Sequence, residues 1–220
     1  MEQKINTHGE CGNGKRPPGR PRCERARQAI LSSTLKFLEA KENGFDDLTI
    51  EHVAAEAGVG KATVYRWWPN KAALVADAFA SSVTQKLRFP DTGSVGQDMN
   101  QQMRQLVKIL RSRRGHILSV ILAAGQSDAT LIGAFRERFL IPRRAEAYIT
   151  LRRGITRGEL PADLDLDLVL DALYGPIYMR FLIGHATLSP GLVDELCGLV
   201  LDGAVHRQSV RSRGRASGAK

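Results

Sequence analysis

The sequence predicts an all-α protein in two parts: an N-terminal three-helix helix-turn-helix unit and a larger C-terminal helical domain, nine to ten helices altogether. Three observations predict it. Apolar residues recur at helical spacing along most of the 220 residues. Two-residue alternation never persists, and turn signals lie too far apart for short strands. Residues 48–74, LTIEHVAAEAGVGKATVYRWWPNKAAL, read as two short helices joined by a glycine turn, with a third starting at once.

The elements follow in order. Residues 1–22 mix Gly, Pro, Asn and basic residues without periodicity and are expected to be a flexible basic arm. A first helix over 23–43 places Ile30, Leu31, Leu35, Phe37 and Leu38 inward, with Gly44 closing it. Thr49 is the N-cap of the next helix, where Ile50, Val53, Ala54 and Ala57 share one face; Gly58 then supplies a left-handed turn. The following helix spans 60–68, stopped by Pro69, with Val59, Val64 and Trp68 facing the core. Asn70 caps a connector over 70–87, whose stripe is Leu74, Val75, Ala78, Phe79, Val83 and Leu87. The Pro- and Gly-containing run 89–96 marks a boundary. Beyond it helices are expected near 96–112, 115–126, 128–140, 142–157, 164–186 and 190–206. Pro142 fits the first position of its helix and Pro190 the N-cap of the last. Gly158 reads as a helix end, and Pro176 is expected to kink the helix around it. The division is therefore 1–22 arm, 23–88 helix-turn-helix domain with connector, 89–207 helical domain, and 208–220 a disordered basic tail.

The formal charge is +9, and its placement says more than its sum. The two ends are basic while residues 159–202 are acidic, so a polyanion would meet the arm first. Residues 44–71 are close to neutral, so non-specific affinity has to come from the arm. Three cysteines, Cys11, Cys23 and Cys197, are too few and too scattered for a disulfide framework and fit a reduced cytoplasm; Cys197 reads as a small buried apolar residue. No apolar run is long enough to span a membrane. The five histidines lack metal-ligand spacing, no glycine loop follows a strand, and no nucleophile motif frames a Ser. No metal, cofactor or catalytic function is expected.

Gly44-Phe45, Thr49-Ile50, Val53-Ala54, Ala57-Gly58-Val59, Thr63-Val64-Tyr65, Trp68 and Lys71 to Leu74 together resemble, without a gap, the DNA-binding domain of the TetR/AcrR family of bacterial transcriptional regulators. The resemblance covers about 24–80. More loosely, Arg157 to Pro161 and the run to Gly175-Pro176 are similar to one type of C-terminal domain in that family. Two departures stand out: Trp68 takes the place of the usual Phe, and Gly60 that of a common Ser. The second implies one lost phosphate contact.

The resemblance implies a DNA surface on the 60–68 helix. Arg66 is the candidate for direct readout, because a guanidinium bonds guanine O6 and N7 together. Tyr65 and Lys71 match phosphate-contacting positions, and Thr49 offers its hydroxyl and a helix N-terminus. Lys61, Ala62, Thr63 and Trp67 complete the surface, with Ala62 suited to a thymine methyl. Arg20 and Arg22, in the stretch KRPPGRPR, are expected in the minor groove. For a small-molecule effector the candidates are Leu118, Ile121, Leu122, Phe135, Phe139, Tyr148, Tyr174, Tyr178, Met179 and Phe181, with His116, Gln126 and His185 as polar anchors. A homodimer interface is expected from the last two helices, through Leu166, Val169, Leu173, Gly175, Leu192, Leu196, Leu199, Val200 and Gly203. The function expected is that of a cytoplasmic homodimeric repressor on a palindromic operator, released by a small apolar molecule. An architectural DNA-binding protein relying on its basic ends is the alternative.

Overall fold

The structure, a computed structural model, describes residues 24–40 and 44–203; the arm with Arg20 and Arg22, and the tail, lie outside them. Among the described residues every regular element is a helix. In order these are α1 Glu24–Ala40, α2 Gly44–Asp47, α3 Ile50–Glu56, α4 Lys61–Trp67, α5 Lys71–Val83, α6 Val95–Leu110, α7 Arg113–Ala124, α8 Ala129–Phe135, α9 Ile141–Thr156, α10 Leu166–Ile183 and α11 Pro190–Cys197.

The helix starts follow from local chemistry. Thr49 accepts from the His52 N–H at 3.2 Å and Asn70 from the Ala73 N–H at 2.8 Å, each satisfying a donor that the first turn cannot. Gly60 caps α4 with no side-chain bond, as its lack of a side chain dictates. Gly58, at φ 65°, ends α3: its own N–H bonds the Ala55 carbonyl and the Val59 N–H that of Ala54, a Schellman turn. Gly158, at φ 76°, ends α9 in the same way.

Four expectations are corrected. Gly44 does not close the first helix with a left-handed turn. It opens α2, a four-residue helix too short to show periodicity, and it is buried where a Cβ would stand 3.2 Å from the Leu38 Cα. No break separates 128–140 from 142–157. A π turn over Arg136–Leu140 joins α8 to α9, with the Ile141 N–H reaching back to the Arg136 carbonyl, and Pro142 follows where it has no N–H to offer. The penultimate helix stops at Ile183 because Gly184 turns left-handed at φ 68°, while Pro176 inside it costs a backbone bond without ending it. Ser189, not Pro190, caps α11: it accepts from the Leu192 N–H at 3.2 Å and Pro190 takes the first helical position.

The connector α5 organises the packing. It lies against α1 on one side and α8 on the other, and its Leu74, Val75, Ala78, Phe79 and Val83 are all buried. A 3₁₀ turn over Thr84–Leu87 extends it and buries Leu87. α7 also touches α1 and α2, so one apolar core runs from Ile30 to Leu201 through both halves of the chain. The boundary loop after Leu87 is pinned rather than loose. Thr92 donates its N–H and hydroxyl to the buried Asp98 carboxylate at 2.9 and 2.7 Å, and Arg153 donates to the Pro90 carbonyl at 3.0 Å.

Candidate DNA-binding surface and cavity

α4 sorts its residues by face. Val64 is wholly buried, and Trp68 just beyond the helix is 1% exposed, as their positions in the pattern require. Lys61, Ala62, Tyr65 and Arg66 are exposed, Tyr65 by 50%, while Thr63 and Trp67 are half-buried. Lys61 pairs with Glu51 across the two exposed helices at 2.7 Å, and the ammonium's hydrogen bond holds the Glu51 carboxyl below its usual range. An exposed pair of this kind is worth little, so a phosphate can take the lysine from it.

What holds α4 in place is an anchor that the sequence did not reveal. The Asp77 carboxylate, on α5, accepts from the Trp68 indole N–H at 2.9 Å and from the Arg27 guanidinium at 3.0 Å. Arg27 also lies 5.9 Å from the centre of the Trp67 ring. One carboxylate therefore ties the end of α4 to α1 and to the connector. Trp68 is thus more than a larger Phe, because its N–H gives the buried ring a polar tie.

Lys71 already has a partner within the chain. Its ammonium donates to the Phe45 carbonyl at 2.7 Å and sits 4.3 Å from the Phe45 ring centre, joining the start of α5 to α2. The group that the resemblance assigns to phosphate thus also has a structural use. Thr49 is engaged as a cap, although the residue is exposed.

In the C-terminal half a cavity of about 390 Å³ opens among α6, α7, α8, α9 and α10. Of the expected residues, Leu122, Phe135, Phe139, Tyr174 and Tyr178 line it. The other five do not. Leu118 and Ile121 are wholly buried in the core, Tyr148 turns its hydroxyl to Asp167, Met179 is 57% exposed, and Phe181 packs half-buried beside the cluster. The expected anchors His116, Gln126 and His185 are exposed and form no part of the wall. Sequence reasoning missed Gln102, Arg143, Arg144 and Asp171, all in the wall, because such residues on helices ordinarily read as solvated. Tyr174 donates its hydroxyl to the Gln102 Oε1 at 2.5 Å, and burial drives its pKa far above the ordinary phenol value. Arg143 donates to the Leu87 carbonyl at 3.0 Å and pairs with Glu146. Arg144 binds Asp171 at 2.7 Å and Asp167 at 2.5 Å.

The expected dimer residues divide. Val169, Leu173, Leu192 and Leu196 are buried in the chain's own core. Leu166 and Val200 are half-buried, while Gly175, Leu199 and Gly203 are exposed. A different set stands out on α10: Leu168, Met179, Leu182 and Ile183, each more than half exposed, recur with Gly175 at helical spacing. α10 is apolar on nearly every side, so its sequence gave no sign of which stripe faced inward.

Among the described residues no helix is long and apolar enough to cross a membrane, and no three His, Cys, Asp or Glu side chains cluster as metal ligands.

Comparison with known proteins agrees with this architecture. Residues 37–78 match the model of the bacterial regulatory proteins of the tetR family, and 89–200 that of the tetracyclin repressor-like C-terminal domain. The HTH-type transcriptional regulator YdeS of Bacillus subtilis is 42% identical over 81% of this chain and 89% of its own. The DNA-binding transcriptional repressor TetR of Mycobacteroides abscessus is 29% identical over 79% of this chain and 88% of its own. Among solved structures, the TetR family transcription regulator SCO0332 superposes with a TM-score of 0.72 at 36% identity, covering 81% of this chain and 98% of that one. The transcriptional regulator FadR from Bacillus subtilis, in complex with stearoyl-CoA, shares the fold at a TM-score of 0.62 and 20% identity, covering 80% and 98%. With its α4 face exposed and its helical second half matched over 112 residues, the chain belongs to the TetR family of bacterial transcriptional regulators.

Proposed function

We propose that the protein is a cytoplasmic repressor that binds a palindromic operator as a homodimer and is released by a small apolar molecule in the α6–α10 cavity. The observation that carries the reading is the α4 face: Tyr65 and Arg66 are open to solvent rather than packed against the second half of the chain. Arg66 reads a guanine edge, Ala62 and Thr63 approach neighbouring bases, and Tyr65 and Lys61 take phosphates. The arm adds Arg20 and Arg22 in the adjacent minor groove. A two-fold axis through the exposed stripe of α10 supplies the second α4, which must lie about 34–36 Å from the first to enter the next groove. Leu199 and Gly203 extend that interface along the chain's last described turn.

The route from cavity to DNA is short. Phe79 of α5 sits 5.0 Å from Phe139 and 6.1 Å from Phe135, both in the cavity wall. Arg143, in the same wall, bonds the last carbonyl of the connector's 3₁₀ extension. A molecule that repacks these groups moves α5, and with it α4 through Asp77. It need only prefer the non-binding arrangement, and a 100-fold preference shifts the balance by about 2.7 kcal/mol. Selection from a random duplex pool tests the reading. A palindromic consensus bound by a dimer supports it; equal affinity for the selected site and a scrambled duplex refutes it.

A further inference from the structure

The cavity wall is mostly apolar; its uncharged polar groups are Gln102 from α6 and Tyr174 and Tyr178 from α10, the two tyrosines one turn apart, and its charged ones are Arg143, Arg144 and Asp171. Tyr174 already donates to Gln102. The Tyr178 hydroxyl has no hydrogen-bond partner among the described residues, although burial pushes its phenol up to about 12 and so keeps it a protonated donor at neutral pH. The positive charges of the same wall are committed. Arg143 holds the Leu87 carbonyl and Glu146, and Arg144 holds Asp171 and Asp167. The cavity offers a hydrogen bond but no spare cation. An anion entering it would lose its water and compete with Glu146, Asp167 and Asp171 for arginine side chains only 10% and 28% exposed, a poorer exchange than at the open Lys61–Glu51 pair.

We propose that the cavity takes an uncharged, mostly apolar molecule carrying a single hydroxyl or carbonyl oxygen, which accepts from Tyr178, and that it refuses carboxylates of the same shape. The assignment rests on the reading of this cavity as the effector site and narrows it to a chemical class. Its size suits a compact ligand, since about 390 Å³ lies near the lower end of ligand pockets.

Three probes of one shape decide the matter: biphenyl, biphenyl-4-ol and biphenyl-4-carboxylate, titrated calorimetrically into the full chain and into Tyr178→Phe. Biphenyl-4-ol is expected to bind at least tenfold tighter than the carboxylate. Tyr178→Phe should weaken biphenyl-4-ol about three- to tenfold, the worth of one neutral hydrogen bond, and leave biphenyl unchanged. Binding of the carboxylate as tight as that of the alcohol overturns the proposal. So does an equal loss for both uncharged probes in Tyr178→Phe, or no binding of any of the three. Should Tyr178→Phe fail to fold, the comparison of alcohol with carboxylate on the native chain decides alone. Binding of biphenyl-4-ol with no change in operator affinity would instead sink the release mechanism and leave this assignment standing.

Discussion

Asp77→Ala should loosen the DNA-binding half from the connector, and the structure sets the size of the effect. The carboxylate accepts two hydrogen bonds, from the Trp68 indole at 2.9 Å and the Arg27 guanidinium at 3.0 Å. Trp68 is 1% exposed, so its N–H would lose the protein acceptor it bonds. An orphaned buried donor costs about 1–3 kcal/mol. The Arg27–Asp77 pair, with both side chains 23% exposed, adds about 0.5–1 kcal/mol after screening. The expected loss is about 1.5–4 kcal/mol, or roughly 3–16 °C in melting temperature for a chain of this size. Asp77→Asn, which keeps an acceptor for the indole and loses the charge, should fall between wild type and Ala. In a thermal-melt double-mutant cycle, Trp68→Phe should remove most of the penalty of Asp77→Ala, since the two share one bond. Strict additivity, or an Asp77→Ala protein melting within a degree of wild type, would show that the indole–carboxylate tie anchors nothing.

Other expectations are checked more simply. Gly154→Ala places a Cβ 2.8 Å from the Val95 Cβ, so it should cost about 1–3 kcal/mol in chemical denaturation, because α9 and α6 cannot part without opening the core. Arg66→Ala should weaken the selected operator by about 1–3 kcal/mol and relax one base position in a repeat selection. Lys71→Ala should lower the melting temperature through the lost Phe45 tie, with any effect on DNA equal for all sequences. At alkaline pH the buried Cys197 thiol, pushed up to about 11 from 9.0, and the Tyr178 phenol, pushed up to about 12 from 10.0, hold protons that the unfolded chain releases. Their contribution is complete below pH 9 and is lost as pH rises through 9–11 and 10–12 respectively. A Cys197→Ala/Tyr178→Phe protein should therefore melt with a shallower slope over pH 9–12; a slope as steep as wild type would place the alkaline loss elsewhere.

How much was legible depended on whether the cause was local. Thr49, Gly58, Asn70 and Gly158 act within a few residues of themselves, and all four do in the structure what their chemistry demands. α2 escaped because four residues, GFDD, carry no period. The π turn escaped because nothing in RERFL distinguishes a five-residue turn from an α turn before Pro142. Wall and core could not be told apart on the middle helices: Ile121 and Leu122 are neighbours of one type, yet the first is wholly buried in the core and the second lines the cavity. Gln102 and Arg143 look like surface residues until α10 and the connector are laid over them. On α10 the inward and outward stripes are both apolar, so Leu173 and Leu182 could be separated only by the packing of α6 and α9 beneath.

The π turn carries a consequence of its own. It inserts one residue beyond what α-helical winding needs between Phe135 and Ile141, and each residue rotates a helix by about 100°. The wider turn absorbs that residue's rotation, so α9 keeps the phase of an unbroken α-helix one residue shorter. Deleting a single residue from 136–140 would let the turn close as ordinary α-helix with Arg143, Arg144 and Ala147 still in the wall, whereas rewinding the turn as α-helix at unchanged length would swing them by about 100° away from it. The winding of this one turn, more than its length or the identity of any one side chain, decides which face of α9 the cavity meets.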